Sequence, residues 1–183
     1  FTWAAAAHFS PASIEGAADH TISLYSFSKS FGMAAWRVGY MVFPEALYES
    51  ILKVQDTNLI CPAKASQQVA LRALAFGRAY PELHHATIRE ARQVLIDMLS
   101  PLERIVDLPT ADGAFYLFLR VKTERSSLKL ARALVENHGV AVIPGEAFGS
   151  SEECYIRVSY GPLTPDLARI GGQRLVDGLE ALV

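Results

Sequence analysis

Ser26-Phe27-Ser28-Lys29, continued by Ser30-Phe31-Gly32-Met33-Ala34-Ala35-Trp36-Arg37-Val38-Gly39-Tyr40, is the stretch around which the chain is organised. Just before it, Thr21-Ile22-Ser23-Leu24-Tyr25 reads as a strand, because β-branched and aromatic residues dominate it and apolar Ile22 and Leu24 alternate with Thr21 and Ser23. Just after, Val38 to Phe43 is a near-unbroken apolar run ended by Pro44, the pattern of a sheet strand buried on both faces. The loop between the two strands is short, so Arg37 returns towards the end of the first strand, where Ser26 and Lys29 leave it. Strand ends of open α/β sheets are where ligands usually bind.

A hydroxyl and a planar five-donor guanidinium can together hold a phosphate, the arginine doing so bidentately. A lysine beside that phosphate can form a Schiff base with an aldehyde where its surroundings keep part of the amine unprotonated. One molecule that satisfies both demands is a phosphorylated aldehyde, and pyridoxal 5′-phosphate is the leading candidate.

The run Ser26-Phe27-Ser28-Lys29, then Gly32-Met33, then Ala35-Trp36-Arg37-Val38-Gly39 resembles the lysine-attachment signature of class I/II pyridoxal-phosphate aminotransferases, the aspartate aminotransferase fold type. The resemblance implies that Lys29 carries the cofactor, that Ser26 and Arg37 bind its phosphate and that Ser28 adds a second hydroxyl. Ala35 stands where many relatives carry glycine. The resembled enzymes also place, on a strand before this loop, an aspartate that pairs with the pyridinium nitrogen and a tyrosine near the cofactor's 3-oxygen; neither is in this chain. Ser-x-x-Lys also opens the active site of serine β-lactamases and penicillin-binding proteins, but those require Ser-Asp-Asn and Lys-Thr-Gly. This chain has no Ser-Asp-Asn, and Lys122-Thr123-Glu124 stands where the second motif would be sought.

The 183 residues are 51% hydrophobic and 20% charged, with a mean hydropathy of +0.19. That is the balance of a chain with a well-supplied core, not of a disordered one. The net charge of −2 arises from interspersed basic and acidic residues, so no basic face favours nucleic acid or a membrane surface. Cys61 and Cys154 lie far apart without metal-ligand spacing, suit a reducing compartment and are both expected as packed thiols. No apolar run reaches the roughly 20 residues of a membrane span and no signal peptide is visible, which predicts a cytoplasmic protein. Because the chain begins at Phe1, something is expected to be missing upstream.

The opening from Phe1 to Pro11 shows neither a helical nor a strand period, Pro11 with Gly16 reads as a loop leading into the strand at Thr21, and His8 reads as a solvated or locally hydrogen-bonded side chain. A helix is expected from Pro44 to about Ile60, with Leu47, Ile51 and Val54 at helical spacing, and a second from about Ala65 to Phe76, stopped by Gly77. A third starts near Pro81, carries Ile88, Ala91, Leu95 and Met98 on one face and is closed by Pro101. Adjacent His84 and His85 diverge by about 100° on such a helix, so they read as solvated rather than as metal ligands. Asp112-Gly113 supplies a turn, with glycine in the special conformation, into a strand over Ala114–Leu119. Leu128, Ala131, Leu134 and Val135 form an amphipathic helix stopped by Gly139, and Val140 to Ile143 a short buried strand. In Tyr155-Ile156-Arg157-Val158-Ser159-Tyr160 the period of two places Arg157 opposite Ile156 and Val158, which alone describes a solvated arginine on an edge strand. Thr164-Pro165 opens a last helix bearing Leu175, Leu179 and Leu182, which Gly171-Gly172 is expected to interrupt.

Val142-Ile143-Pro144-Gly145-Glu146-Ala147-Phe148-Gly149 followed by Tyr155-Ile156-Arg157 is similar to the aminotransferase segment whose arginine pairs with the substrate α-carboxylate, and so implies that role for Arg157. The fold implied is α/β: the C-terminal part of a fold-type I transferase, comprising the end of the large-domain mixed sheet over 1–80, an interdomain helix over 81–104 and a small domain over 105–183. The implied activity of the whole protein is amino-group transfer between an amino acid and a 2-oxo acid by a homodimer. This segment by itself is expected to be inactive. A lyase or decarboxylase on the same scaffold, or a non-catalytic dimerisation or binding module, are the alternatives.

Overall fold

The computed structural model describes residues 1–3 and 8–183; part of the expected opening loop lies outside the described residues. The chain divides into two compact units, Ala5–Leu83 and Phe1–Ala4 with His84–Val183. Each has its own cluster of buried side chains.

In the Ala5–Leu83 unit, strand β1 (Ser23–Ser26) pairs antiparallel with β2 (Gly39–Val42), Ser23 facing Val42 and Ser26 facing Gly39. Helices α1 (Tyr48–Leu59) and α2 (Lys64–Phe76) follow. Gly77, at φ +60°, ends α2 where the sequence predicts. The expectation that the Val38–Phe43 run is buried on both faces is not met: all four residues of β2 are exposed. A run of apolar residues tells that a strand can be covered, not what covers it. Among the described residues these two strands form a sheet only with each other. Burial concentrates instead under the loop between them, where Phe27, Met33 and Val38 pack with Ala70, and with Val69 and Ala73 of the same helix. Cys61, expected as a packed thiol, is exposed, whereas Cys154 is buried as expected.

Helix α3 (Ala79–Leu99) begins in the Ala5–Leu83 unit and from His84 onward belongs to the other, where it buries Ile88, Ala91, Leu95 and Leu99. Then come β3 (Val106–Asp107), β4 (Tyr116–Val121), α4 (Ser127–His138), β5 (Ile143–Pro144), β6 (Tyr155–Ser159) and α5 (Pro165–Leu182). The four strands form one antiparallel sheet in the order β3-β4-β6-β5. Strand alternation divides its residues cleanly: Leu117, Leu119 and Val121 of β4 and Ile156 and Val158 of β6 are buried, while Tyr116, Phe118, Tyr155 and Arg157 occupy the other face. The buried face packs with Leu95 and Leu99 of α3, Leu130 and Leu134 of α4, and Leu175 and Leu179 of α5. Truncating one such leucine to alanine typically costs about 2–5 kcal/mol. Ser126 and Thr164 cap α4 and α5, accepting the Lys129 and Leu167 amide N–H at 3.4 and 3.3 Å.

Four expectations are corrected here. β5 is shorter than the predicted Val140–Ile143 strand and largely unburied, because it forms the sheet edge. α5 runs unbroken through Gly171-Gly172. At the entry to β4 it is Ala114, not Gly113, that takes positive φ (+68°). The strain is offset by two hydrogen bonds to its carbonyl, from the Trp3 indole N–H at 2.8 Å and the Tyr160 hydroxyl at 3.2 Å. Finally, His85 is not simply solvated: it stacks on Trp3 at 4.8 Å between ring centroids.

Candidate active site

The residues that the sequence singles out fall in two groups, one in each unit. The first lies at the end of the β1–β2 ribbon. Ser26 closes β1 opposite Gly39, the first residue of β2, and Arg37 stands two positions before that glycine. The ribbon register therefore keeps Ser26 and Arg37 at the same end, with Lys29 three positions into the loop. The loop folds on itself: the Phe27 carbonyl accepts the Phe31 and Met33 amides at 3.3 and 3.2 Å, and the Lys29 carbonyl accepts the Gly32 amide at 3.2 Å. Phe27, Met33 and Val38 turn inward, leaving Ser26, Lys29 and Arg37 exposed and Ser28 half-buried. Buried hydrophobic positions thus anchor the loop while its polar positions face outward.

Within that group, the Ser26 hydroxyl oxygen accepts the Ser28 amide at 3.1 Å, which leaves its own proton to donate. Arg37 is held at φ +50°, the left-handed region, at a cost of about 1–2 kcal/mol for a residue with a Cβ. Its guanidinium donates to the Ala34 carbonyl at 2.7 Å, which folds the side chain back over the loop. Strained non-glycine backbone of this kind concentrates at ligand sites. A hydroxyl with a spare proton, a five-donor cation and a primary amine on one strand end match the donor set that a phosphorylated aldehyde requires.

The second group is on the open face of the four-stranded sheet. β6 lies between β4 and β5, so Arg157 is not on an edge strand. Its guanidinium carbon lies 5.3 Å from the centre of the Tyr116 ring and 4.9 Å from that of Phe148. Phe118, paired with Arg157 across the strands, meets Phe148 edge-on at 5.9 Å and stacks on Tyr155 at 4.9 Å. Rings on the guanidinium leave its donors the in-plane direction, the one from which a planar carboxylate takes two hydrogen bonds. The Arg157 Nε is buried and has no hydrogen-bond partner, an uncommon state for a buried donor.

Sequence reasoning singled out Arg157 but missed Tyr116 and Phe148. A signal for Tyr116 was present: in β4 the aromatics Tyr116 and Phe118 occupy the parity opposite the buried leucines, where a purely structural sheet would carry polar residues.

The chain matches the family described as Aminotransferase class I and II over residues 2–171. Aromatic aminotransferase ISS1 of Arabidopsis thaliana is 36% identical over 174 residues, covering 93% of this chain and 43% of that protein. An aspartate aminotransferase of Pyrococcus abyssi is 34% identical over 84% of this chain and 40% of its own length. The crystal structure of an aromatic aminotransferase from Pyrococcus horikoshii OT3 superposes with a TM-score of 0.88 at 30% identity, covering 99% of this chain and 48% of that one. The chain belongs to the class I and II aminotransferase family and has the α/β fold of aspartate aminotransferase fold type I. It spans less than half the length of these relatives.

Proposed function

We propose that the whole protein of which this chain is part transfers an amino group between an amino acid and a 2-oxo acid with pyridoxal 5′-phosphate as cofactor. The carrying observation is the Arg157 guanidinium, with the Tyr116 and Phe148 rings against it and a buried Nε–H that lacks an acceptor. The α-carboxylate is the planar anion that every amino acid and 2-oxo acid shares, and an in-plane guanidinium reads that group whatever the side chain.

In this reading Ser26, Ser28 and Arg37 hold the phosphate of the cofactor, and the Lys29 amine holds its aldehyde carbon. When bound, pyridoxal phosphate supplies an electron-withdrawing ring that makes the amino acid's Cα–H acidic. Lys29, once its amine is released, would move the proton from Cα to the carbon that bore the cofactor's aldehyde oxygen, acting as base and then as acid. Arg157 fixes the carboxylate, which orients the bond to be broken. The domain division at 1–80, 81–104 and 105–183 belongs to the same proposal, as does a cytoplasmic homodimer as its setting. Among the described residues no helix is long and apolar enough to cross a membrane, and both cysteines are free.

The test is made on the whole protein. Lys29→Ala is expected to abolish transamination and the visible absorbance of the lysine-bound cofactor. Arg157→Ala is expected to raise KM for amino acids by about 10–100-fold, the worth of a charge-assisted hydrogen-bonded pair. Turnover retained by Lys29→Ala would overturn the assignment. A panel of amino acids that gave amines rather than 2-oxo acids would replace transamination by decarboxylation.

A further inference from the structure

Arg157 depends on Phe148 for one covered face, yet Phe148 belongs to a segment with little packing of its own. Gly145–Phe148 is a single 3-10 turn in which Glu146, Ala147 and Phe148 are all exposed. Two features fix it. Gly145 is buried so closely against β6 that a Cβ there would lie 2.7 Å from the Tyr155 Cβ and 2.9 Å from its carbonyl oxygen. One residue on, Glu146 and Ser127 bind each other in both directions. The Ser127 hydroxyl donates to Glu146 Oε1, and the Glu146 amide donates to Ser127 Oγ, both at 3.2 Å. The Leu128 amide donates to the same carboxylate oxygen, also at 3.2 Å. Ser127, only 2% exposed, is the first residue of α4. The carboxylate thus also sits at a helix N-terminus, where a negative charge is favoured.

We infer that Ser127 and Glu146 are positioning residues for substrate: by tying the Gly145–Phe148 turn to α4 they hold the Phe148 ring over Arg157 and so keep the guanidinium edge-on to the incoming carboxylate. The inference rests on the proposed role of Arg157. Neither residue touches substrate. Without the tie, the turn keeps its glycine contact, the Ser150 amide bond to the Gly145 carbonyl and the edge-on contact of Phe148 with Phe118, and Phe148, two residues beyond Glu146, is held less firmly. Arg157 then gains rotational freedom and water, both of which weaken a bidentate hydrogen bond.

The experiment measures KM for the amino acid, kcat, and the competitive inhibition constant of propionate on the whole protein. Ser127→Ala and Glu146→Ala are expected to raise KM and the propionate constant together by about 3–10-fold, with kcat nearly unchanged, since the lost hydrogen bonds reach the substrate only through the Phe148 ring. Glu146→Gln, whose amide oxygen still accepts from Ser127 and Leu128, is expected to restore most of both. Phe148→Leu reports on the same ring without disturbing α4 and should show the same split if Ser127→Ala proves too unstable to purify. A Phe148→Leu protein with unchanged KM and propionate constant overturns the inference, as does a change in thermal stability alone in the Ser127 and Glu146 variants. If Arg157→Ala weakens propionate while those variants do not, the positioning role fails and the reading of Arg157 stands. If Arg157→Ala leaves propionate binding intact, that reading fails first.

Discussion

The thiol of Cys154 and the phenol of Tyr160 are buried beside the sheet core, and burial raises both above their ordinary values of 9.0 and 10.0. For Cys154 the Glu146 carboxylate adds to the effect. The sign follows from proton binding. The folded chain keeps protons that the unfolded chain releases, so the contribution to stability is complete below pH 9.0 and is lost as pH rises through the folded-state values. The unfolding midpoint of this unit should therefore be flat across neutral pH and fall on the alkaline side. Cys154→Ala, which removes one of the two groups, should make that alkaline fall shallower in thermal melts recorded as a pH series. An unchanged slope would show that burial of the thiol carries no proton linkage.

Among the helices, α5 carries glycines with opposite prospects. A Cβ at Gly178 would lie 2.5 Å from Leu134 Cδ2 and 3.1 Å from the His138 ring, so this glycine permits the approach of α5 to α4. A Cβ at Gly171 would meet nothing within 4 Å. Gly178→Ala is expected to destabilise by about 1–3 kcal/mol through overpacking, and Gly171→Ala to stabilise by about 0.5–1 kcal/mol through helix propensity. Chemical denaturation of the two variants decides it; equal effects would mean that the helices part freely. The predicted interruption of α5 failed for the same reason: propensity counts the cost of each glycine, whereas Leu175 and Leu179, both buried, hold the helix regardless. Helices were legible wherever a period of three to four ended in glycine or proline, as in α3 and α4, and α2 by its alanine and leucine content before Gly77. β6 was legible by its alternation, and Thr164 by its cap. What escaped the sequence depends on pairing between distant segments: the place of β6 inside the sheet, the ring of Phe148 on Arg157, and the turn at Ala114. The Ser26, Lys29 and Arg37 group was legible because its spacing is local. Its register across β1 and β2 adds the shared end.

The two units differ in how much they bury. The Phe1–Ala4 and His84–Val183 unit packs three helices on the buried face of its sheet, while the Ala5–Leu83 unit has a cluster of four buried residues, exposes Leu24 at 74% and has no buried residue in α1. Local opening should follow that division. In hydrogen exchange on the 183-residue chain by itself, β4, β6, α4 and α5 are expected to be protected, and β1, β2 and α1 to exchange far faster. Equal protection in the two sets would contradict the burial. The better-buried unit is also the discontinuous one. The Trp3 amide and indole N–H reach Asp112 and Ala114 carbonyls, the latter 111 positions away. On a ribosome adding about 5–20 residues each second, Trp3 waits roughly 6–20 s before Ala114 has even been synthesised. The earliest part of this segment to be made is thus among the last to find its neighbours, so a paused or truncated translation product would hold the strand-entry turn unfastened.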